Sequence, residues 1–316
     1  MNWNFDILPN FIFTGLQNGA IYAVVALALV LIFKATTLIN FAQGELAMFG
    51  AFIVYVFAVN LGLWLWLSII IGMIASAAAG ALIERSLVRP FDPTDHLPVV
   101  LITLGLFLIL NALAGDIWNY QKRVMPSAFG KFPSWVPFWG GERYLTVFGT
   151  RLQYQTIGIW IMLALVLWGL SLLLKRTKVG LAFRAVSSNT ESARLVGVNT
   201  GQTLGFGWAL ASAFGTLGAA LVAPTLGGIE PNMMAFILIY SLAGAALGGL
   251  DSLGGAVLGG IIVGLIESVV VSWLGVVVLG WGFMSILKLA AAFMVILIVL
   301  IFRPAGLFGT KKIERV

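Results

Sequence analysis

The sequence predicts an all-α, polytopic membrane protein, and three observations carry that prediction. The chain is 60% hydrophobic and 9% charged, with a mean hydropathy of +1.04, whereas globular chains carry about 25% charged residues. It holds repeated, nearly uncharged apolar stretches of the ~18 residues or more that qualify as membrane helices. Its basic residues gather in the connections between those stretches, as they do in cytoplasmic loops. No series of alternating ~10-residue strands, the mark of a membrane barrel, is present.

The first span is Phe11–Phe33, closed by Lys34. No basic n-region precedes it, so it reads as a retained span and not as a cleaved signal. ATTLINFAQGE (35–45) is a polar interruption before the short apolar run Leu46–Leu61. That run either crosses or forms half of a broken helix, which gives about eight or nine membrane segments. Trp64–Ile83 follows and ends in ERSLVRPFDPTDH (84–96), where Arg85, Arg89, Pro90 and Pro93 predict a tight cytoplasmic loop. Leu97–Ala114 is the next span. Residues 115–155, rich in Pro, Gly and scattered aromatics, suit an extracytoplasmic excursion lying partly on the headgroups. Within it, 142–153 (ERYLTVFGTRLQ) has the pattern of a hairpin.

Thr156–Leu174 leads back to a polar island at 175–201, which sets Lys175, Arg176, Lys178, Arg184 and Arg194 against Glu191 alone. Ser188 and Glu191 have the spacing of a capping box, and Gly197 supplies a left-handed stop after Ala193, Arg194, Leu195 and Val196. A helix of about two turns is marginal alone in water, so a partner or the rest of the chain must hold it. Thr203–Val222, Met233–Leu250, Ala256–Trp273 and Ser285–Phe302 complete the spans. Arg303, Lys311, Lys312 and Arg315 then place the C-terminus in the cytoplasm. The whole of 1–316 reads as one transmembrane domain.

Enzyme chemistry finds no support in the residues. The chain has no cysteine, and its one histidine, His96, sits beside Asp95 in a predicted loop. There is neither a GxxxxGK[ST] phosphate cradle nor a metal-ligand constellation. No catalytic residue and no metal ligand is assigned. The net charge of +6 follows from membrane topology and does not call for nucleic acid.

What remains are polar groups in apolar surroundings. Asn40, Gln43 and Glu45 lie at the break before Leu46, and discontinuous helices often build transport sites; an interfacial turn hinged at Gly44 is the plainer reading. Glu267 is the one acid deep within a predicted span, either a pathway group or an internally paired carboxylate that fixes helix packing. Lys288, near a helix end, suits snorkelling. Three glycine pairs, Gly244 with Gly248, Gly255 with Gly259, and Gly260 with Gly264, repeat at the four-residue spacing that lets helix backbones approach closely.

LINFAQGE at 38–45, RAVSSNTESARLVGVN at 184–199, GGLDSLGGAVLGG at 248–260 with GLIES at 264–268, and FRPAGLFG at 302–309 occur in one order. With them the chain resembles the LivH-type permeases of branched-chain amino acid ABC importers of the bacterial inner membrane. The resemblance covers nearly the whole length and is weakest over 115–155. It implies the ABC-importer permease fold. It makes Ser188, Glu191, Ala193, Arg194 and Gly197 part of a coupling loop that docks on an ATP-binding subunit, and it makes Asn40, Gln43, Glu45 and Glu267 translocation-pathway candidates. It implies two ABC ATP-binding subunits, a second permease subunit (homologous or identical) and a periplasmic substrate-binding protein as partners. ATP and Mg would bind on the ATPase subunits, with no cofactor on this chain. The sequence departs from the family at Gln43, where histidine is usual, and at Asp251 and Gly254, where glycine and proline are common. Relatives carry other amino acids, short amides, urea or aromatic acids as well. The alternative expectation is a self-sufficient secondary carrier or channel, but carriers tend to keep several ionisable groups in their spans.

Overall fold

The computed structural model describes residues 5–36, 38–91, 96–130, 144–147 and 150–309. Every predicted apolar segment is helical: α1 (Leu8–Thr36), α2 (Gln43–Tyr55), α3 (Leu65–Ile83), α4 (His96–Trp118), α5 (Tyr154–Arg176), α8 (Thr200–Val222), α9 (Ala235–Gly248), α10 (Leu253–Leu265) and α11 (Lys288–Phe302). Two short helices, α6 (Lys178–Ser188) and α7 (Thr190–Leu195), lie between α5 and α8. π-helical turns extend α2 over Val56–Asn60, α3 over Glu84–Val88 and α10 over Ile266–Val278. Among the described residues seven helices are long and apolar enough to cross a membrane, and Ala235–Gly248 and Lys288–Val299 are shorter apolar helices. The protein is a multi-pass helical membrane protein.

The hairpin forms as predicted. β1 (Tyr144–Val147) and β2 (Thr150–Gln153) pair antiparallel with Tyr144 opposite Gln153 and Val147 opposite Thr150. Much of the remaining 115–155 excursion, at 131–143 and 148–149, lies outside the described residues, as do Asp95, Lys311, Lys312 and Arg315.

The chain gathers into two compact units, each discontinuous in sequence: Met1–Ala26 with Pro126–Ala164 and Phe236–Val316, and Leu27–Met125 with Leu165–Ala235. Small residues hold the first together. Gly15 and Gly19 of α1 lie against Gly264 and Ile261 of α10, and Gly244 of α9 lies against Gly260 on the other side of the same helix. The α9–α10 seam continues through Gly259, whose missing Cβ makes room for the Gly244 carbonyl, and through Gly255, which faces Gly248. The three glycine pairs of the sequence are therefore not partners within each pair. They meet across helices, Gly244 with Gly259 and Gly260, Gly248 with Gly255, because residues four apart share one face of a helix. This matters because lipid provides no hydrophobic drive between helices, leaving van der Waals contact and hydrogen bonds to associate them. The turn 248–252 joins α9 to α10, and the FRPAGLFG segment pairs with it: Leu307 and Phe308 N–H donate to the carbonyls of Leu247 (2.8 Å) and Gly248 (3.0 Å).

In the second unit α2, α3 and α8 form a bundle. Besides Ile69, the buried face of α3 is a four-residue series, Ser68, Gly72, Ser76 and Gly80, continued by Glu84. Gly72 packs on Val54, Gly80 on Ser212, and Gly50 of α2 on Ser76 and Thr216. The Thr216 hydroxyl donates to Ser76 Oγ at 2.7 Å. The other faces of α3 stay exposed and apolar, with Ile70, Ile74 and Leu82 among them, as a lipid-facing helix requires.

Two sequence expectations are corrected, and one that the sequence left open is narrowed. Over 46–61, α2 starts at Gln43 and continues without a break to Asn60, long and apolar enough to cross, and the irregular backbone lies before it. The loop expected from residue 84 is still helical through Val88, with Glu84 buried. His96 is the first residue of α4 and not part of a loop.

Candidate functional site

Asn40, Gln43 and Glu45 come together in the second unit, around the first turn of α2, and are 0–1% exposed. Asn40 Oδ1 accepts from Ala42 N–H (3.0 Å) and its carbonyl from Gln43 N–H (3.2 Å), which turns the chain into α2. Gln43 Nε2 donates to the Ala211 carbonyl of α8 at 3.0 Å. Asn111 Nδ2 of α4 approaches Glu45 Oε2 at 3.4 Å and Asn232 Oδ1 at 3.1 Å. The first turn of α2 has no side-chain cap. Asn40 Nδ2, Gln43 Oε1 and Glu45 Oε1 have no protein partner among the described residues, and on α8 the same holds for Trp208 Nε1 and Ser212 Oγ. Each buried polar atom left unpaired costs about 1–3 kcal/mol. The turn is therefore polar beyond what packing needs, and Glu45 is a further carboxylate within an apolar helix, beside Glu84 and Glu267, which the sequence expectation had placed at a break.

Glu267 belongs to the first unit. It lies in the π-helical extension of α10, where the Tyr22 hydroxyl donates to Oε2 at 2.6 Å and Asn18 Nδ2 at 3.4 Å. Lys288 Nζ stands 4.0 Å from Oε1. Tyr22 in turn stacks on Tyr240 with ring centroids 4.8 Å apart. This geometry suits a carboxylate that ties α1, α10 and α11 together. A Glu267→Ala variant is expected to lose about 1–3 kcal/mol, because the Tyr22 hydroxyl is then left buried without its acceptor. Glu267→Gln retains an acceptor and is expected to lose less than half of that. Thermal unfolding in detergent measures both; an uptake defect in Glu267→Gln at parental melting temperature would instead mark a pathway role.

The polar island is folded. Thr177 Oγ1 accepts from Gly180 N–H (3.0 Å) to start α6, whose Phe183 and Val186 are buried while Lys178 and Arg184 face out. Ser188 is the last residue of α6 and does not cap α7. Asn189 does, its Oδ1 accepting from Ser192 N–H at 2.8 Å. The reciprocal half of a capping box is not needed, because Asn189 N–H already donates to Ala185 O of α6 at 3.1 Å. Glu191 is exposed in the first turn of α7, where an acid complements the helix dipole. Gly197 has φ +84°, and the bonds Gly197 N–H to Arg194 O (3.0 Å) and Val198 N–H to Ala193 O (3.0 Å) close a Schellman stop. Ala193 is buried and Arg194 Nε donates to Thr200 Oγ1 at 3.0 Å, tying α7 to α8. Leu195 and Val196 stand 88% and 78% exposed at the tip.

Sequence reading missed Asn111 and Asn232 beside Glu45, Tyr22 beside Glu267, and the ion pair of Glu84 with Arg89. Two signals were available: a lone Asn111 within an apolar span, and the four-residue repeat from Ser68 to Glu84.

The family profile described as "Branched-chain amino acid transport system / permease component" matches residues 11–302. The high-affinity branched-chain amino acid transport system permease protein BraD of Pseudomonas aeruginosa is 29% identical over 315 residues, covering 96% of each chain. The corresponding LivH of Escherichia coli is 25% identical over 312 residues, again 96% of each. A probable branched-chain amino acid transport permease protein, LivH of Methanocaldococcus jannaschii, is 29% identical over 307 residues, 95% of this chain and 94% of its own.

Proposed function

Because the chain belongs to the family of permease components of branched-chain amino acid transport systems, we propose that it forms the membrane path of an ATP-driven importer for branched-chain or related small amino acids. It works in the bacterial inner membrane with its C-terminus in the cytoplasm. One of two ATP-binding subunits docks on the loop from Ser188 to Gly197 that holds α7, a second permease subunit pairs with this one and takes the other, and a periplasmic binding protein delivers substrate. ATP and Mg bind on the ATPase subunits, and the permease performs no chemistry of its own.

The observation that carries this reading is α7. A six-residue helix is unstable alone, yet this one is capped, stopped and bonded to α8, and it presents Leu195 and Val196 bare amid basic residues. Bare apolar residues on a structured polar loop suit a protein partner. The unpaired groups of Asn40, Gln43 and Glu45 support the first turn of α2 as part of the path, since polar groups at membrane depth belong where protein or a wet cavity satisfies them.

The test is affinity purification in mild detergent, with co-purifying chains identified by mass spectrometry. Nucleotide-binding subunits are expected in stoichiometric yield from the parent and at least tenfold depleted when Glu191 and Gly197 are both changed. A pure homo-oligomer that moves leucine across liposomes without ATP would overturn the proposal.

A further inference from the structure

We propose that the Glu84–Arg89 pair is the mechanical link that carries displacement of α7 into the α2–α3–α8 bundle, a role that rests on the importer reading above. Glu84 closes the buried face of α3 and is 1% exposed, whereas its partner Arg89 is 38% exposed. A carboxylate removed from water is costly unless paired. In a regular α-helix residue i+5 stands about 140° round from residue i. Here the π-helical turn, closed by Arg89 N–H donating to Glu84 O at 2.7 Å, brings the guanidinium back over the carboxylate. Nε donates to Oε1 at 3.1 Å and Nη2 to Oε2 at 2.5 Å, a forked pair.

The pair does more than neutralise itself. Arg89 Nη2 also donates to the Gly201 carbonyl at 2.7 Å, across 112 residues of sequence, in the first turn of α8. Gly201 and Gly205 form its seat: a Cβ at Gly201 would stand 3.1 Å from the guanidinium carbon, and one at Gly205 would stand 3.1 Å from Glu84 Oε2. Thr200, the residue before Gly201, holds Arg194 of α7 at 3.0 Å. The connections therefore run without a gap from Arg194 through Thr200, Gly201, Arg89 and Glu84 to α3. From α3 they pass through Ser76 to Thr216, and Gln43 at the start of α2 is bonded to Ala211 of the same α8. A force on α7 then tilts α3 and α8 as one body.

Two variants of the assembled importer, reconstituted in proteoliposomes with its binding protein and leucine as the probe, test the link. Glu84→Gln with Arg89→Gln removes both charges together, so no buried charge is left unpaired. Gly205→Val keeps both charges and fills their seat on α8. Both are expected to cut leucine taken up per ATP hydrolysed at least fivefold, with ATP hydrolysis within twofold of the parent and with ATP-binding subunits still bound. Arg89→Lys, which keeps the charge but loses the fork, is expected to fall between. Parental uptake per ATP in either of the first two variants overturns the link, and so does an uptake loss that merely tracks melting temperature across all three. The same preparations separate the two readings: absence of ATP-binding subunits from the parent complex defeats the importer reading itself, whereas their presence with parental coupling in the variants defeats the link alone.

Discussion

Gly260→Leu is expected to abolish the folded protein, giving aggregate in place of a monodisperse peak in size-exclusion chromatography. Gly260 sits between two helices. A Cβ there would stand 2.7 Å from Ala23 N and 2.8 Å from Ala23 Cα of α1, and on its other side Gly244 of α9 is so close that a Cβ at Gly244 would stand 2.7 Å from Gly260 Cα. These are backbone atoms, which no rotamer change can move aside, so α10 must separate from α1 or from α9. Overpacking a core costs about 1–3 kcal/mol or somewhat more, and in lipid the cost is compounded because close contact is itself the force that associates the helices. The control is Gly254→Ala in the first turn of α10, where an added Cβ meets nothing within 4 Å. That variant is expected to be neutral or up to about 1 kcal/mol more stable, from the lower helix entropy cost of alanine. Equal behaviour of the two variants would show that close approach at Gly260 does not hold the unit.

Gly197→Trp is expected to reduce leucine uptake at least tenfold while the protein still inserts and purifies. The φ of +84° at Gly197 is a conformation that a residue with a Cβ adopts at a cost of roughly 1–2 kcal/mol. The Schellman bonds from Gly197 and Val198 to Arg194 and Ala193 would open, and Leu195 and Val196 would lose their fixed presentation. Nothing lies within 4 Å of a Cβ at Gly197, so the transmembrane helices are spared and the melting temperature is expected to stay near the parent's. Arg194→Glu is expected to act in the same direction and more weakly, since it breaks one bond, to Thr200, without straining the backbone. Parental uptake in Gly197→Trp would remove α7 from the coupling path.

The membrane class, the apolar segments that are helical among the described residues, the hairpin, the Gly197 stop and the small residues suited to close helix packing were all legible from sequence. Each is written locally: hydropathy is a property of a window, and a left-handed stop needs only its own glycine. Which glycine meets which was not legible, since Gly259 and Gly255 find Gly244 and Gly248 only once α9 and α10 lie side by side. The island at 175–201 was legible only in part. Lys178–Ser188 was not read as a helix, because Phe183 and Val186 are the only large apolar side chains on its buried face, beside Gly180. Ser188 and Asn189 are both good capping residues, and the choice between them was made by α6, which runs on to Ser188 and already satisfies the Asn189 N–H.

By itself the sequence determined that this chain is a multi-pass membrane protein, where its apolar segments fall, and which small residues permit close helix contact. Hydropathy and steric size are properties each residue carries wherever it is placed. The tertiary structure alone decided the fate of the buried charges. Glu267 meets Tyr22 across 245 residues, Glu45 meets Asn111 across 66, and the Glu84–Arg89 pair reaches Gly201 across 112. A carboxylate in an apolar helix announces only that it must find a partner, since its burial is too costly otherwise. Which partner it finds depends on which helices pack against it, and that is set by the sum of weak van der Waals contacts over whole helices, which no single stretch of sequence contains.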